Sequence, residues 1–198
     1  MEKLTFYYSA MNGGKSSSLM QVAYNYEENG KKVLLLKSEL DTKGQDYLVS
    51  RTGFKRKVDI KLGEDEKLVK KYYNLLIEAD CILVDEVQFL TEEQVEELFL
   101  ITKQLDLPVI CYGLKTNFQG KLFPGAKRVI ELADHVQELD TIPLCSCGEK
   151  ARFNARLVDG KYTMEGNEVE IDGACEKTEY KPVCGKCFLQ KVMKKTLL

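Results

Sequence analysis

The 198-residue sequence predicts an α/β fold: a mostly parallel sheet with helices on both faces, plus a small cysteine-bearing C-terminal domain. Three observations carry this reading. Short apolar runs alternate with stretches of helical periodicity through about residue 140, as in right-handed βαβ units. A glycine pair opens the first helix directly after the first apolar run. Beyond Asp140 the texture changes to paired cysteines, frequent glycines and short alternating runs. The expected division is 1–140 for the larger domain and 141–198 for the second.

The elements follow in order. Residues 4–8 (Leu-Thr-Phe-Tyr-Tyr) read as a strand that reaches Gly13 and Gly14. Leu19, Val22, Ala23 and Tyr26 then recur at helical spacing until Gly30. Residues 33–36 are a second strand, and 38–57, polar and basic with little periodicity, read as a mobile loop. Leu68, Val69, Tyr72 and Leu75 or Leu76 mark a helix, and residues 81–84 a strand that ends on Asp85 and Glu86. Thr91 and Gln94 have capping-box spacing, with Glu92 and Glu93 at the positive end of the following helix. Residues 109–112 form the next strand.

Composition excludes several classes of function. An apolar fraction of 44% supplies a sizeable core, which rules out wholesale disorder. A net charge of −2 and a pI near 5.7 argue against a protein that holds long nucleic acid. The single histidine, His135, excludes any mechanism that needs two imidazoles and reads as structural or exposed. No run reaches the ~18 apolar residues of a membrane span, so the expectation is a cytoplasmic protein with reduced cysteines and no membrane partner.

Ser9-Ala-Met-Asn-Gly-Gly-Lys-Ser16 matches the phosphate-loop pattern G-x-x-x-x-G-K-[ST] except at its first position. Gly13 and Gly14 let backbone N–H groups approach phosphates, and the helix start adds its positive end. Lys15 would reach the β- and γ-phosphates and the Ser16 hydroxyl would bind Mg²⁺. Cys81-Ile-Leu-Val-Asp-Glu86 delivers two carboxylates at a strand's carboxyl end, where ligands bind in open parallel sheets. Asp85 suits Mg²⁺; Glu86, expected on the other side of the strand, suits a general base.

Cys145-Ser-Cys147 and Cys184-Gly-Lys-Cys187, 36 residues apart, supply the four thiolates of a structural Zn²⁺ site. Zinc binding would be folding energy for so small a module. Cys81 and Cys111, inside strands, read as buried small hydrophobes, and Cys175 as free.

With these motifs, Asp85-Glu-Val-Gln-Phe89 and Tyr112-Gly-Leu-Lys-Thr-Asn-Phe-Gln119, the sequence resembles the type II thymidine kinases over almost its whole length. It is most similar to a bacterial branch that shares Phe6-Tyr-Tyr-Ser-Ala-Met11, serine at the first loop position included. The resemblance implies a P-loop, RecA-like kinase domain that transfers the γ-phosphate of ATP to the 5′-hydroxyl of thymidine, giving dTMP for nucleotide salvage. It implies ATP contacts from residues 9–16 (Ser9, Ala10, Met11, Asn12, Gly13, Gly14, Lys15, Ser16) and from Asp85, Glu86, Val87 and Gln88. Glu86 would be the catalytic base. Met11, Phe89, Leu114, Thr116, Phe118 and Asn154 would line the base pocket, with Val169, Ile171 and Tyr180 on a lasso that closes over it. Leu114 and Phe118, between a strand and Gly120, read as pocket rather than ordinary core.

The resemblance further implies a homotetramer inhibited by dTTP. Asp41-Thr-Lys43 stands where the family usually carries Asp-x-Arg, so the cation at the transferring phosphoryl group is Lys43 or Arg51. Between Gly173 and Tyr180 the chain is a few residues longer than its relatives. The competing reading is a P-loop ATPase whose zinc ribbon acts on nucleic acid, with Glu86 activating water.

Overall fold

The computed structural model describes residues 3–50, 53–166 and 178–195. In chain order the first half contains β1 (Leu4–Tyr8), α1 (Lys15–Glu28), β2 (Val33–Ser38), β3 (Tyr47–Val49), β4 (Lys55–Lys57), β5 (Ile60–Leu62) and α2 (Leu68–Leu76). There follow β6 (Cys81–Asp85), a 3₁₀ turn (Val87–Phe89), α3 (Glu92–Gln104), β7 (Val109–Gly113), α4 (Pro124–Leu132) and β8 (His135–Glu138). The second part carries β9 (Phe153–Val158), β10 (Lys161–Thr163), β11 (Thr178–Val183), α5 (Gly185–Cys187) and a π-helical segment (Phe188–Met193).

Six strands form one sheet in the order β5-β2-β6-β7-β1-β8, and every pairing is parallel. Successive side chains of a strand face opposite sides, so a near-continuous apolar run fills two cores at once. Leu34 and Leu36 of β2, with Ile82 and Val84 of β6, pack against Leu68 and Leu76 of α2, Val95 and Leu98 of α3 and Val129 of α4. Their neighbours Val33, Leu35, Cys81 and Leu83 pack against Leu19 and Ala23 of α1. Cys81 and Cys111 are fully buried, and burial pushes the Cys111 thiol up.

The capping box is complete: Gln94 N–H donates to Thr91 Oγ1 at 3.2 Å and Thr91 N–H to Gln94 Oε1 at 3.1 Å. His135 lies exposed on edge strand β8.

One expectation is corrected. Residues 38–57 are not irregular throughout; the described ones include the antiparallel pair β3–β4, whose Leu48, with the neighbouring Val58, is buried on the α1 face. Two widely spaced apolar residues anchor the segment, too few to produce a period. Strand β5 is equally short, with Ile60 and Leu62 buried on either side of Lys61.

Strands β10, β9 and β11 form an antiparallel sheet over a second small core of Cys145, Ala151, Ala155, Val183 and Phe188. Phe153 and Phe188 stack with ring centroids 4.6 Å apart. Ala10, from the loop after β1, belongs to this same core, so the two sheets share a packed boundary.

Candidate active site

All six strands of the larger sheet run the same way, so their carboxyl ends collect on one edge. That edge gathers residues 9–14 after β1, Lys37 at the end of β2, Asp85 at the end of β6 with Glu86 just after it, and Leu114 after β7.

The loop after β1 is held tightly. Asn12 and Gly14 take left-handed backbone conformations (φ 67° and 72°). A Cβ on Gly13 would sit 2.3 Å from Ser9 Oγ, so this position has no room for a side chain. No side chain caps α1 at Gly14, in contrast to α3, which leaves its first-turn N–H groups available to a ligand. Lys15 is buried, folded back with Nζ 3.4 Å from the carbonyl oxygen of Ala10. Thr141 Oγ1 donates to the Gly13 carbonyl at 2.6 Å, and Asn154 Oδ1 accepts from Met11 N–H at 2.8 Å.

Asp85 is buried, and its Oδ1 has no hydrogen-bond partner among the described residues. Desolvation, then the neighbouring charges of Glu86 and Asp41, push its carboxyl up to about 8 against the pull of Lys15. Such an oxygen, buried beside two further carboxylates and a lysine, fits a divalent cation with phosphate ligands.

Glu86 differs from expectation. Strand alternation does not set its direction, because β6 ends at Asp85 and Glu86 turns into the left-handed region (φ 48°, ψ 49°). Gln88 Nε2 donates to its Oε2 at 2.6 Å. The Val87 side chain is fully buried in the larger core and the Gln88 amide is engaged by protein groups, so neither side chain is open to a ligand and only backbone atoms remain here. The turn itself is pinned by α4: a Cβ on Gly125 would lie 2.5 Å from the carbonyl oxygens of both Val87 and Leu90.

Lys37 is a site residue that sequence reasoning missed. It is completely buried, stands in register with Asp85, and donates from Nζ to the Lys43 carbonyl (2.9 Å) and to Asp41 Oδ2 (3.3 Å). A signal existed, because Lys37 follows Leu35 by two residues and so continues a buried face. Burial outweighs Lys37 in raising the Asp41 carboxyl, and the charge of Glu86 adds to the rise. Lys43 itself is exposed, and Arg51 lies outside the described residues.

Between the two sheets, Phe118 is buried with Tyr180 at 6.5 Å between ring centroids and the Arg156 guanidinium 5.2 Å above its ring. Thr116 is buried nearby in sequence, Phe89 packs edge-on against Phe123 at 6.2 Å, and Met11 is half-buried. Leu114 packs partly against the larger core, so it has a structural contact as well. Val169, Ile171 and Cys175, with the longer stretch before Tyr180, lie outside the described residues.

The sulfurs of Cys145, Cys147, Cys184 and Cys187 lie within 4.8 Å of one another. Burial opposes ionisation of Cys145, but backbone N–H groups of Cys147 and Cys184 and neighbouring thiols bring it down to about 6. Hydrogen bonding with Cys145 and Cys147 pushes Cys187 up to about 12. Four convergent sulfurs of this kind fit a tetrahedral thiolate metal centre. Among the described residues no helix is long and apolar enough to cross a membrane.

The thymidine kinase family model matches residues 2–188. The thymidine kinase of Chromobacterium violaceum is 42% identical over 190 residues, spanning 95% of this chain and 98% of that protein. The thymidine kinase of Shewanella oneidensis is 42% identical over 192 residues, covering 95% and 97%. That of Francisella tularensis subsp. tularensis is 41% identical over 198 residues, covering 97% and 99%.

Proposed function

The chain belongs to the thymidine kinase family and is an ATP-dependent kinase of thymidine, and on that premise we propose how its residues share the reaction. Phosphoryl transfer is chiefly positioning and charge stabilisation. Residues 9–16 cradle the phosphates of ATP through backbone N–H groups and Lys15, and the open first turn of α1 supports this role. Glu86 accepts the proton of the thymidine 5′-hydroxyl as its oxygen attacks the γ-phosphorus in line, and ADP leaves. Ser16 and Asp85 would hold Mg²⁺, for which the buried Asp85 Oδ1, unpartnered among the described residues, is the support. When bound, the ion neutralises charge developing on the phosphates.

The cation beside the transferring phosphoryl group is Lys43, whose backbone is tied to Lys37 and Asp41, with Arg51 as the alternative. Met11, Phe89, Leu114, Thr116, Phe118, Asn154 and Tyr180 surround the base together with Val169 and Ile171, and select a pyrimidine chiefly by shape. Residues 1–140 then act as the kinase domain and 141–198 as the domain that Zn²⁺ would staple through Cys145, Cys147, Cys184 and Cys187. Inhibition by dTTP, assembly as a homotetramer and a cytoplasmic location rest on family membership alone.

The observation that carries this reading is the adjacency of Asp85 and Glu86 on the edge that also holds the loop of residues 9–16. Its test is ADP release from Mg-ATP with no nucleoside, with thymidine, and with deoxycytidine, deoxyadenosine or deoxyguanosine. ADP should appear with thymidine alone, matched by dTMP. Release at one rate whatever the nucleoside would overturn the reading.

A further inference from the structure

Gln88 is 2% exposed and spends both ends of its amide inside the protein. Its Nε2 donates to Glu86 Oε2 at 2.6 Å, while its Oε1 accepts from Leu114 N–H at 2.9 Å. One rigid side chain therefore connects the carboxylate after β6 to the first residue of the segment that follows β7 and leads to Thr116 and Phe118. The fit is close: a Cβ on Gly113 would stand 2.6 Å from Gln88 Oε1 and 3.0 Å from Val87 Cγ1. Glu86 needs such support, because a non-glycine residue in the left-handed region is uncommon and its side chain has no strand neighbours to direct it. The 3₁₀ turn that carries Gln88 is itself wedged against Gly125 of α4, so the donor does not drift.

We propose that Gln88 is a positioning residue that aims the Glu86 carboxylate and ties its aim to the nucleoside-contacting segment that begins at Leu114. The inference rests on Glu86 being the base. An amide is the side chain suited to the task, since it offers a donor to one partner and an acceptor to the other at fixed separation. A nucleoside that settles against residues 114–118 pushes on the same amide that holds the base. Binding of the acceptor and alignment of the carboxylate thereby become one event.

The test is a double-mutant cycle with Gln88→Met, which keeps length and packing but neither hydrogen bond, and Glu86→Gln. Turnover and the KM values for thymidine and ATP are measured for each variant and for the pair. Gln88→Met is expected to lower kcat about tenfold to a hundredfold, the scale of a misplaced reacting group, with the KM for ATP within about twofold. The pair should be no slower than Glu86→Gln alone, because Gln88 acts through that carboxylate.

If Gln88→Met turns over at the parent rate while Glu86→Gln is slow, the positioning role is wrong and the base assignment stands. If the losses multiply in the pair, Gln88 acts through general packing and the proposal is likewise wrong. Should Glu86→Gln itself turn over normally, the underlying base assignment fails. Gln88→Asn serves if Gln88→Met does not fold. Its amide is one methylene shorter and cannot span both Glu86 and Leu114, so kcat falls while the KM for ATP is kept; parent kcat in this variant would also overturn the proposal.

Discussion

The backbone N–H of Met11 donates to Asn154 Oδ1 at 2.8 Å across 143 residues, so a side chain of the small antiparallel sheet holds the phosphate-loop backbone of the large one. Asn154 is buried, as is its neighbour in this boundary, Ala10. The two parts of the chain are thus joined at the nucleotide loop.

Asn154→Ala leaves the Met11 N–H without that acceptor, at a cost of ~1–3 kcal/mol if water does not replace it. The expected outcome is a lower melting temperature together with a raised KM for ATP as well as for thymidine. A change confined to the thymidine KM would mean that the hydrogen bond does not steady the loop.

Glu86→Gln should lower turnover by ~10² to 10⁴ while ATP still binds. Isothermal titration with a non-hydrolysable ATP analogue, beside steady-state kinetics, separates the two effects. Near-normal turnover removes Glu86 from the role of base.

Asp85 predicts a pH dependence with a definite sign. Its carboxyl rises from 3.8 to about 8 on folding, so between those values the folded protein holds a proton that the unfolded chain has lost. Without Mg²⁺, stability should therefore fall as pH climbs through this window and level off above it. Asp85→Asn removes the slope, and the difference in melting temperature between parent and variant measures it. A difference that stays constant from pH 4 to 8 would show that burial does not control this carboxyl.

Gly125→Ala places a methyl group 2.5 Å from two backbone carbonyl oxygens, those of Val87 and Leu90. Backbone cannot swing aside as a long side chain can, so α4 must lift from the turn, at a cost of ~1–3 kcal/mol. Because that turn carries Gln88, kcat should fall with stability. A variant as stable and as fast as the parent would contradict the packing described.

Cys184→Ser, or a strong chelator applied to the native protein, should loosen the C-terminal module more than the parallel sheet. Hydrogen exchange resolves the two: protection of β9 and β11 should drop while β6 and β7 keep theirs. Metal analysis should find close to one zinc per chain, and its absence would remove the staple.

Much of the architecture was legible in the chain because its signals are local. Residues 33–36 and 81–84 are apolar without interruption, which is how a strand covered on both faces must read. Thr91 and Gln94 satisfy each other within one helical turn, so their spacing alone revealed the cap. Gly13, Gly14, Lys15 and Ser16 lie side by side, and the cysteines come in close pairs. Hairpin β3–β4 was not legible, since Leu48 and Val58 acquire an apolar neighbourhood only when the segment lies across α1.

What the sequence determined by itself was therefore the kind of fold, the phosphate loop and the two chemistries, carboxylate and thiolate, that the chain carries. Tertiary structure alone decided how they are aimed. Lys37 faces Asp85 only because β2 and β6 pair in that register, and Glu86 is directed by Gln88 rather than by strand alternation. Asn154 reaches Met11 only because the second sheet packs on Ala10. Periodicity and spacing record what a residue does within one element, whereas hydrogen bonds between elements depend on distances that exist only once the sheets have packed.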